Sequence, residues 1–276
     1  MDGSAGIRER FLRMSNFKSY AMEQKPHYIS ICNQKGGVGK STFTVLLASL
    51  LHYRMGRRVL VADCDYPQWS IHDQRKRELE LMDRTDYYKL MMMRQWKTCG
   101  QKIWPVLECK ATEAVETVER FLAKEDRPFD YVLFDLPGTA ATAGVLRLVS
   151  SLEHLFIPMK ADKFVMESTI TFARMVTETF MANPSSATRG VHLFWSMIDG
   201  RERTGLYEQY GKVLESFALP VMQTRIPLRT RFNKELVAGG GPVYRSTLYP
   251  ADKAFVSESR LDALAQEMCS VIEESR

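Results

Sequence analysis

The most constraining feature of this sequence is the glycine-rich segment KGGVGKST at residues 35–42. It follows a short apolar run at residues 28–32 and precedes apolar side chains at helical spacing over residues 43–51. When a strand turns through glycines into a helix, backbone N–H groups at the helix N-terminus point into one concavity. Such a concavity binds phosphate, and the segment therefore predicts a phosphate loop.

Two residue types in the loop carry specific chemistry. Lys40 is placed to reach terminal phosphates, and the Ser41 hydroxyl is placed to bind Mg²⁺. The usual pattern GxxxxGK[ST] begins with glycine, but this chain has Gln34 there, and a second lysine, Lys35, stands inside the loop. The alternative, a strand-to-helix turn without a ligand, leaves Lys40 and Ser41 without a purpose.

Carboxylates follow two further predicted strands. Asp63 and Asp65 end the apolar run at residues 58–62, and Asp135 ends the run at residues 131–134. The carboxyl ends of parallel strands share one edge of a sheet, so these side chains are expected beside the phosphate loop. Asp135 stands where an aspartate binds Mg²⁺ through water, and one of the other two can orient an attacking water. For each aspartate the structural alternative is that it caps a helix.

Strands and helices alternate along the rest of the chain, which predicts an α/β fold with a mostly parallel, doubly wound sheet flanked by helices. The predicted elements are helices at 112–124, 141–151, 164–181, 204–217 and 258–273 and strands at 130–134, 154–158, 191–197 and 221–226. Residues 66–104 predict helices outside the sheet plane, and 229–256 predict a surface loop. We expect a basic N-terminal extension, residues 1–26, and a single domain, residues 27–276.

Composition narrows the class of protein. Lys plus Arg exceed Asp plus Glu by 38 to 33, a net charge of +5 that permits an acidic partner without requiring one. No apolar run approaches the roughly 18–20 residues that span a bilayer, so we expect a cytoplasmic protein without a membrane partner. The five cysteines include no CxxC pair, which predicts neither a disulfide framework nor a zinc site.

Several segments together resemble the deviant Walker A ATPases of the ParA/MinD superfamily, most closely the ParA branch. They are KGGVGKST with its inner lysine, RVLVADCDYPQ at 58–68, YVLFDLPG at 131–138, SMIDGR at 196–201 and TRIPLRTRFNKE at 224–235. The resemblance covers about residues 28–273. The 66–104 insertion and the DCDYPQ variant resemble ParA-type proteins of conjugative-element transfer operons. Tyr66, which separates Asp65 from Pro67, departs from the branch's pattern and leaves the path of this loop open.

The resemblance implies ATP and Mg²⁺ as cofactors and a homodimer in the ATP state. In such a dimer Lys35 reaches the partner's nucleotide and acts with Lys40 and Asp65 in catalysis, with Asp65 orienting the water. Ser41 and Asp135 supply the magnesium shell, Asp135 through water, and Thr42 contacts phosphate. The residues implied in nucleotide binding are Lys35, Gly36, Gly37, Val38, Gly39, Lys40, Ser41, Thr42 and Pro227, the last of which lines the base pocket.

Positive charge clusters between residues 225 and 234, where no acid intervenes. The cluster consists of Arg225, Arg229, Arg231 and Lys234. The matching segment of the ParA branch lies near a surface that binds DNA without sequence preference, which implies non-specific DNA, a nucleoid-associated location and a ParB-like or transfer-complex activator. The alternatives are a solvated charged loop, an ATP-using small-molecule enzyme of the dethiobiotin synthetase type, and an ATP-switched regulatory interaction protein.

Overall fold

The computed structural model describes residues 25–138, 142–201 and 205–275, which form an α/β fold around a six-stranded parallel sheet. The strands are β1 (His27–Ile31), β2 (Val59–Asp63), β3 (Val106–Glu108), β4 (Tyr131–Asp135), β5 (His154–Met159) and β6 (Gly190–Trp195). The helices are α1 (Lys40–Tyr53), α2 (Ser70–Arg84), α3 (Asp86–Cys99), α4 (Ala114–Leu122), α5 (Ala143–Val149), α6 (Lys163–Val176), α7 (Leu206–Ser216), α8 (Lys253–Glu258) and α9 (Leu261–Glu274). A π-helical turn, Thr177–Met181, continues α6, and a 3-10 turn spans Thr230–Asn233.

The sheet order, β3-β2-β4-β1-β5-β6, confirms the predicted fold class. Side chains alternate across β1, so that Ile29 and Ile31 pack on the face covered by α1 and α9, while Cys32 joins the core on the other face. Both faces are covered, which is why the inner strands are almost entirely apolar. The chain departs from β1 toward β2 and later crosses to β5 on the other side. Ligands bind at such a switch point, at the carboxyl ends of the strands.

A small third core lies outside the sheet. The helices expected within 66–104 form α2 and α3, and Tyr88 of α3 packs against Val243, Leu248 and Tyr249. The Tyr249 hydroxyl donates a 2.8 Å hydrogen bond to the Tyr88 carbonyl. The prediction that 229–256 is a surface loop is therefore wrong in its second half, because these apolar side chains find a partner in the inserted helices.

Three other elements differ from the sequence-based expectation. A short strand, β3, pairs with β2 from Val61 onward and was not predicted. The expected strand at 221–226 is reduced to a bridge between Val221 and Leu193. The expected helix at 258–273 is α9, which begins only at Leu261 because Arg260 before it adopts a left-handed conformation with φ of 59°, and the short helix α8 ahead of it was not predicted.

The predicted N-terminal extension lies, except for residues 25 and 26, outside the described residues. Within the described part of the chain, no helix combines the length and the apolar character needed to cross a membrane.

Candidate nucleotide-binding site

The loop between β1 and α1 is held at its entry by Asn33, which is buried. The Asn33 side-chain amide donates to the Pro158 carbonyl at 2.9 Å and to the Thr169 hydroxyl at 2.8 Å. Its Oδ1 accepts a 3.0 Å hydrogen bond from the backbone N–H of Lys35. The start of the loop is thereby tied to β5 and α6, and the loop's curvature begins from a fixed point.

Glycine is required at two positions of the loop because the backbone there is left-handed. Gly37 has φ of 75° and Gly39 has φ of 92°. A Cβ at Gly39 would also lie 3.1 Å from the Phe43 ring. Gly39 precedes α1 and has no side chain to cap it, so the first N–H groups of α1 remain available to an anion. Gly36 and Val38 complete the turn, with Val38 buried beneath it.

The two lysines of the loop differ in their surroundings. The Lys40 ammonium donates a 3.2 Å hydrogen bond back to the Lys35 carbonyl, whereas the Lys35 side chain is exposed. Gly138, just after β4, lies close enough that a Cβ there would be 3.7 Å from Lys40 Nζ. The Lys40 ammonium therefore lies between the phosphate loop and the end of β4.

Asp135 is fully buried at the end of β4, and its two oxygens differ. Oδ1 lies 3.4 Å from the Thr44 hydroxyl, whereas Oδ2 has no hydrogen-bond partner among the described residues. Burial raises the pKa of Asp135 to about 7, helped by the negative charges of Asp63 and Asp65 and opposed by Ser41 and Lys40. An orphaned carboxylate oxygen beside the Ser41 hydroxyl fits the oxygen ligands of Mg²⁺.

The acids at the end of β2 have separate roles. Asp63 is buried and accepts hydrogen bonds from the backbone N–H groups of Ile71 at 2.9 Å and His72 at 3.0 Å, which caps α2. Asp65 is only partly buried; burial raises its pKa and the positive charge of Lys40 opposes the rise. Asp65 is thus the carboxylate that remains available to a ligand near Lys40.

The chain turns sharply after Asp65, and Tyr66 lies on the outside of the turn. The Asp65 carbonyl accepts hydrogen bonds from the N–H groups of Gln68 at 2.7 Å and Trp69 at 2.8 Å. The Tyr66 ring is exposed, packs edge-on against Trp69 and lies 5.2 Å from the Lys110 ammonium. Tyr66 therefore changes the outside of the loop and leaves both aspartates at the strand end.

Pro227 lies on the β6 side of the sheet, in a β-bridge with Ile198. The next residue, Leu228, lines a cleft of about 530 Å³ together with Met197 and Tyr207. Arg201, in the same cleft, donates to both carboxylate oxygens of Asp199 at 3.0 and 2.8 Å. This pairing holds the pKa of Asp199 down at about 2. Pro227 thus adjoins this cleft through Leu228 but is not one of the residues that line it.

The four basic residues predicted to bind DNA are all exposed, but their environments differ. Arg231 makes a 3.0 Å ion pair with Glu258, and its guanidinium lies 5.6 Å from the centre of the Tyr244 ring. Lys234 Nζ lies 5.9 Å from the same ring. Arg225 and Arg229 make no ion pair within the described residues, so their charges are the more available of the four.

Sequence reasoning missed one residue beside the phosphate loop. Arg245 donates a 3.0 Å hydrogen bond to the Thr42 hydroxyl and a 2.6 Å hydrogen bond to Glu235. It belongs to the segment that the sequence analysis interpreted as a surface loop. The only sequence signal for this residue was its positive charge, which follows a glycine-rich stretch. The ion pair and the contact with Thr42 arise from tertiary packing.

Comparison with known proteins agrees with this geometry. The family model of the CobQ/CobB/MinD/ParA nucleotide binding domain matches residues 29–243, and the chain belongs to that family. The ParA-branch resemblance is supported by the sporulation initiation inhibitor protein Soj of Bacillus subtilis. That relative is 27% identical over 234 residues, which cover 78% of this chain and 89% of Soj.

Two solved structures share the fold. A candidate plasmid partition protein of Borrelia burgdorferi, bound to AMPPNP, has a TM-score of 0.57 and 17% identity, covering 92% of this chain and 100% of its own. The pNOB8 ParA protein bound to nonspecific DNA has a TM-score of 0.53 and 16% identity, covering 91% and 100%. The sheet and its phosphate loop are thus those of a family of nucleotide-binding proteins.

Proposed function

We propose that this chain is an ATPase that dimerises on ATP, binds DNA without sequence preference and positions or segregates DNA or a conjugative transfer complex. The observation that carries the proposal is the pair of lysines in one loop. Lys40 folds back onto the Lys35 carbonyl, while the Lys35 side chain is exposed. Two cations in one loop repel each other unless both meet a shared negative charge. The position of Lys35 is therefore suited to contact with phosphates that a second copy of the chain holds.

Each site residue has its own role in hydrolysis. Mg²⁺, held by Ser41 and through water by Asp135, would neutralise phosphate charge. Lys40 and the N–H groups at the start of α1 hold the terminal phosphates. Asp65 accepts a hydrogen bond from water and orients it toward the terminal phosphorus. The new O–P bond forms as the bond to the leaving ADP oxygen breaks, and a proton of the water passes to a phosphoryl oxygen, giving ADP and inorganic phosphate.

Lys35 of the second copy would act on the charge that moves during this reaction. Negative charge shifts toward the leaving oxygen as the bond to ADP breaks, and a cation placed there stabilises the transition state more than the ground state. Hydrolysis then depends on dimer formation. An activator protein, ParB-like or part of a transfer complex, that favours this geometry would release the protein from DNA by speeding hydrolysis.

The exposed arginines favour DNA as the ligand that the dimer binds. Contacts from Arg225 and Arg229 to phosphates carry no sequence information, which suits movement over a nucleoid. The named role of Soj relatives in chromosome partitioning and the DNA-bound pNOB8 ParA structure favour the same assignment. We accordingly place the protein in the cytoplasm, associated with the nucleoid.

The proposal is tested by the variant Asp65→Ala, with Glu80→Ala on the exposed face of α2 as the matched acidic control. Asp65→Ala should bind ATP, fail to hydrolyse it, and accumulate as a dimer that binds duplexes of unrelated sequence equally well. Size-exclusion chromatography with light scattering and fluorescence anisotropy measure the two states. Glu80→Ala should behave as the wild type.

Three results would count against the proposal. Wild-type turnover by Asp65→Ala would remove the water-orienting role. DNA binding that is the same with ATP, with ADP and without nucleotide would remove the ATP switch. Phosphoryl transfer to a small molecule by a monomer would favour the dethiobiotin synthetase type of enzyme instead.

A further inference from the structure

Arg245 connects the phosphate-loop helix to a segment two hundred residues away in the chain. Its Nη1 donates to Thr42 Oγ1 at 3.0 Å, across a sequence separation of 203 residues. Its Nη2 donates to Glu235 Oε1 at 2.6 Å, and its side chain is only 17% exposed. The guanidinium thus lies between the first turn of α1 and the segment 234–249, in a cleft of about 270 Å³ that Ser41 also lines.

This contact determines what the Thr42 hydroxyl can do. A hydroxyl has one hydrogen to donate and two lone pairs, whereas a guanidinium can only donate. Arg245 therefore occupies a lone pair of Thr42 Oγ1 and leaves the hydroxyl hydrogen available to an acceptor. Thr44, one half-turn later, shows the contrast, because its hydroxyl donates to the Lys40 carbonyl at 3.1 Å. For Thr42 the residue four positions back is Val38, which precedes the helix.

Arg245 is itself held firmly. Glu235 accepts from Arg77 at 3.2 Å as well as from Arg245, so the carboxylate is fixed from two sides. The next residues are anchored to the buried Glu78, whose Oε2 accepts hydrogen bonds from the Ser246 hydroxyl at 3.0 Å and the Thr247 N–H at 2.8 Å. The guanidinium is therefore presented to Thr42 by the packed unit of α2, α3 and residues 234–249, and two of its nitrogens are paired with Thr42 and Glu235.

We propose that Arg245 is a positioning residue for ATP: it orients the Thr42 hydroxyl as a hydrogen-bond donor toward a nucleotide phosphate. Through this contact the inserted helices and the segment 234–249 influence the affinity of the site for nucleotide. The inference rests on the proposed ATP-binding function and adds a residue that the phosphate-loop pattern does not contain. Because the Glu235 carboxylate pairs with the guanidinium at 2.6 Å, we assign the effect to the hydrogen bond with Thr42 rather than to net charge.

A double-mutant cycle on ATP binding tests the proposal. Arg245→Met removes the donors and keeps the aliphatic stem, and Thr42→Val removes the hydroxyl with little change of shape. Each single variant should weaken equilibrium ATP binding about five- to tenfold, the loss of one hydrogen bond. Because Arg245 acts through Thr42, the double variant should bind ATP as weakly as the weaker single variant, within about twofold.

Two further variants separate positioning from general damage. Arg245→Lys keeps a donor and a charge and should recover most of the lost affinity, while kcat changes little in all Arg245 variants. Arg77→Met is the matched control, because Arg77 shares Glu235 but makes no contact with Thr42 in the described structure. It should bind ATP within about twofold of the wild type, because Glu235 keeps its 2.6 Å hydrogen bond to Arg245. Binding is compared well below the melting temperature of the least stable variant.

The outcomes distinguish this inference from the proposed function. Wild-type affinity in Arg245→Met, or losses that multiply in the double variant, would overturn the positioning role while leaving ATP binding by the wild type intact. An equal loss in Arg77→Met would overturn it too, since the effect would then belong to the Glu235 network. Failure of the wild-type protein to bind ATP would overturn both the inference and the proposed function.

Discussion

The carboxylate of Asp63, at the end of β2, accepts a 2.9 Å hydrogen bond from the backbone N–H of Ile71, in the first turn of α2. The residue that immediately precedes α2 is Trp69, which offers no capping side chain. Asp63, six positions earlier, takes over that role, so the loop at residues 64–69 is tied to the strand at one end and to α2 at the other. Asp63 and Asp65 look alike in the sequence, but Asp63 has a structural role whereas Asp65 remains available to a ligand.

Asp63→Ala should therefore lower stability. The variant leaves the buried N–H group of Ile71 and the partly buried N–H group of His72 without an acceptor, and we expect a loss of about 2 kcal/mol in the free energy of unfolding. Urea denaturation followed by circular dichroism measures it. Asp63→Asn keeps an acceptor and should lose less, and Asp65→Ala should unfold at nearly the wild-type urea concentration. A larger loss in Asp65→Ala than in Asp63→Ala would reverse the assignment of the two aspartates.

Lys35→Ala should leave ATP binding largely intact and strongly reduce hydrolysis, because its cation is expected to serve the opposite site of the dimer. Mixing it with Asp65→Ala, which is inactive for a different reason, gives heterodimers with one intact site, where the Asp65 of one copy meets the Lys35 of the other. Partial recovery of ATPase activity on mixing is the expected result. Heterodimers demonstrated by tag pull-down but without activity would show that Lys35 does not act across a dimer.

Arg225→Ala combined with Arg229→Ala should weaken DNA binding in the ATP state equally for unrelated sequences. Each lost phosphate contact reduces the slope of log affinity against log salt by roughly 0.9. Arg231→Ala should have a smaller effect, because Glu258 already neutralises part of that charge. Fluorescence anisotropy across a salt series makes the measurement. An unchanged slope in the double variant would place the DNA surface elsewhere on the molecule.

Acid should destabilise the sheet through a pair of histidines far from the loop. His154 and His192 contact each other at 3.1 Å, and burial lowers the pKa of each to about 4. In the unfolded chain the two histidines take up protons near pH 6.5, at a higher pH than in the folded chain. The free energy of unfolding therefore falls as the pH drops from about 6.5 to about 4.

Replacing one member of the pair, in His192→Gln, should flatten this part of the stability curve, measured by urea denaturation at several pH values. The remaining His154 no longer meets the charge of His192 and takes up its proton at higher pH, while His27 and Arg189 still hold its pKa down. Equal slopes for the wild type and the variant would show that other groups cause the acid sensitivity.

Most of the sheet was predictable because its inner strands are largely apolar runs, two of which end in an aspartate, Asp63 or Asp135. β3 escaped because only Val106 and Leu107 carry an apolar signal, and an edge strand of three residues needs no more. The expected strand at 221–226 failed for a different reason. The N–H groups of Gln223 and Thr224 donate to the Glu267 carboxylate at 2.6 and 2.9 Å, which removes them from a ladder. No local sequence pattern indicates that a carboxylate about forty residues away accepts these hydrogen bonds.

The candidate site divides in the same way. Lys40, Ser41 and the strand-end aspartates were identifiable because their chemistry is set by local spacing. The separation of Asp63 from Asp65 was not, since it depends on which carboxylate meets the start of α2. Arg245 could not be predicted for the same physical reason, because its contact with Thr42 forms only when α2, α3 and the segment 234–249 have packed together.

The distance along the chain between Thr42 and Arg245 also sets an order of events during synthesis. Thr42 leaves the ribosome early, and its partner follows only 203 residues later. A nascent chain that has completed β1, β4 and β5 holds the phosphate loop in a nearly finished sheet but still lacks this guanidinium. The contact that we propose to raise the affinity for nucleotide can therefore form only after residue 245 has been made, when the phosphate loop has long been synthesised.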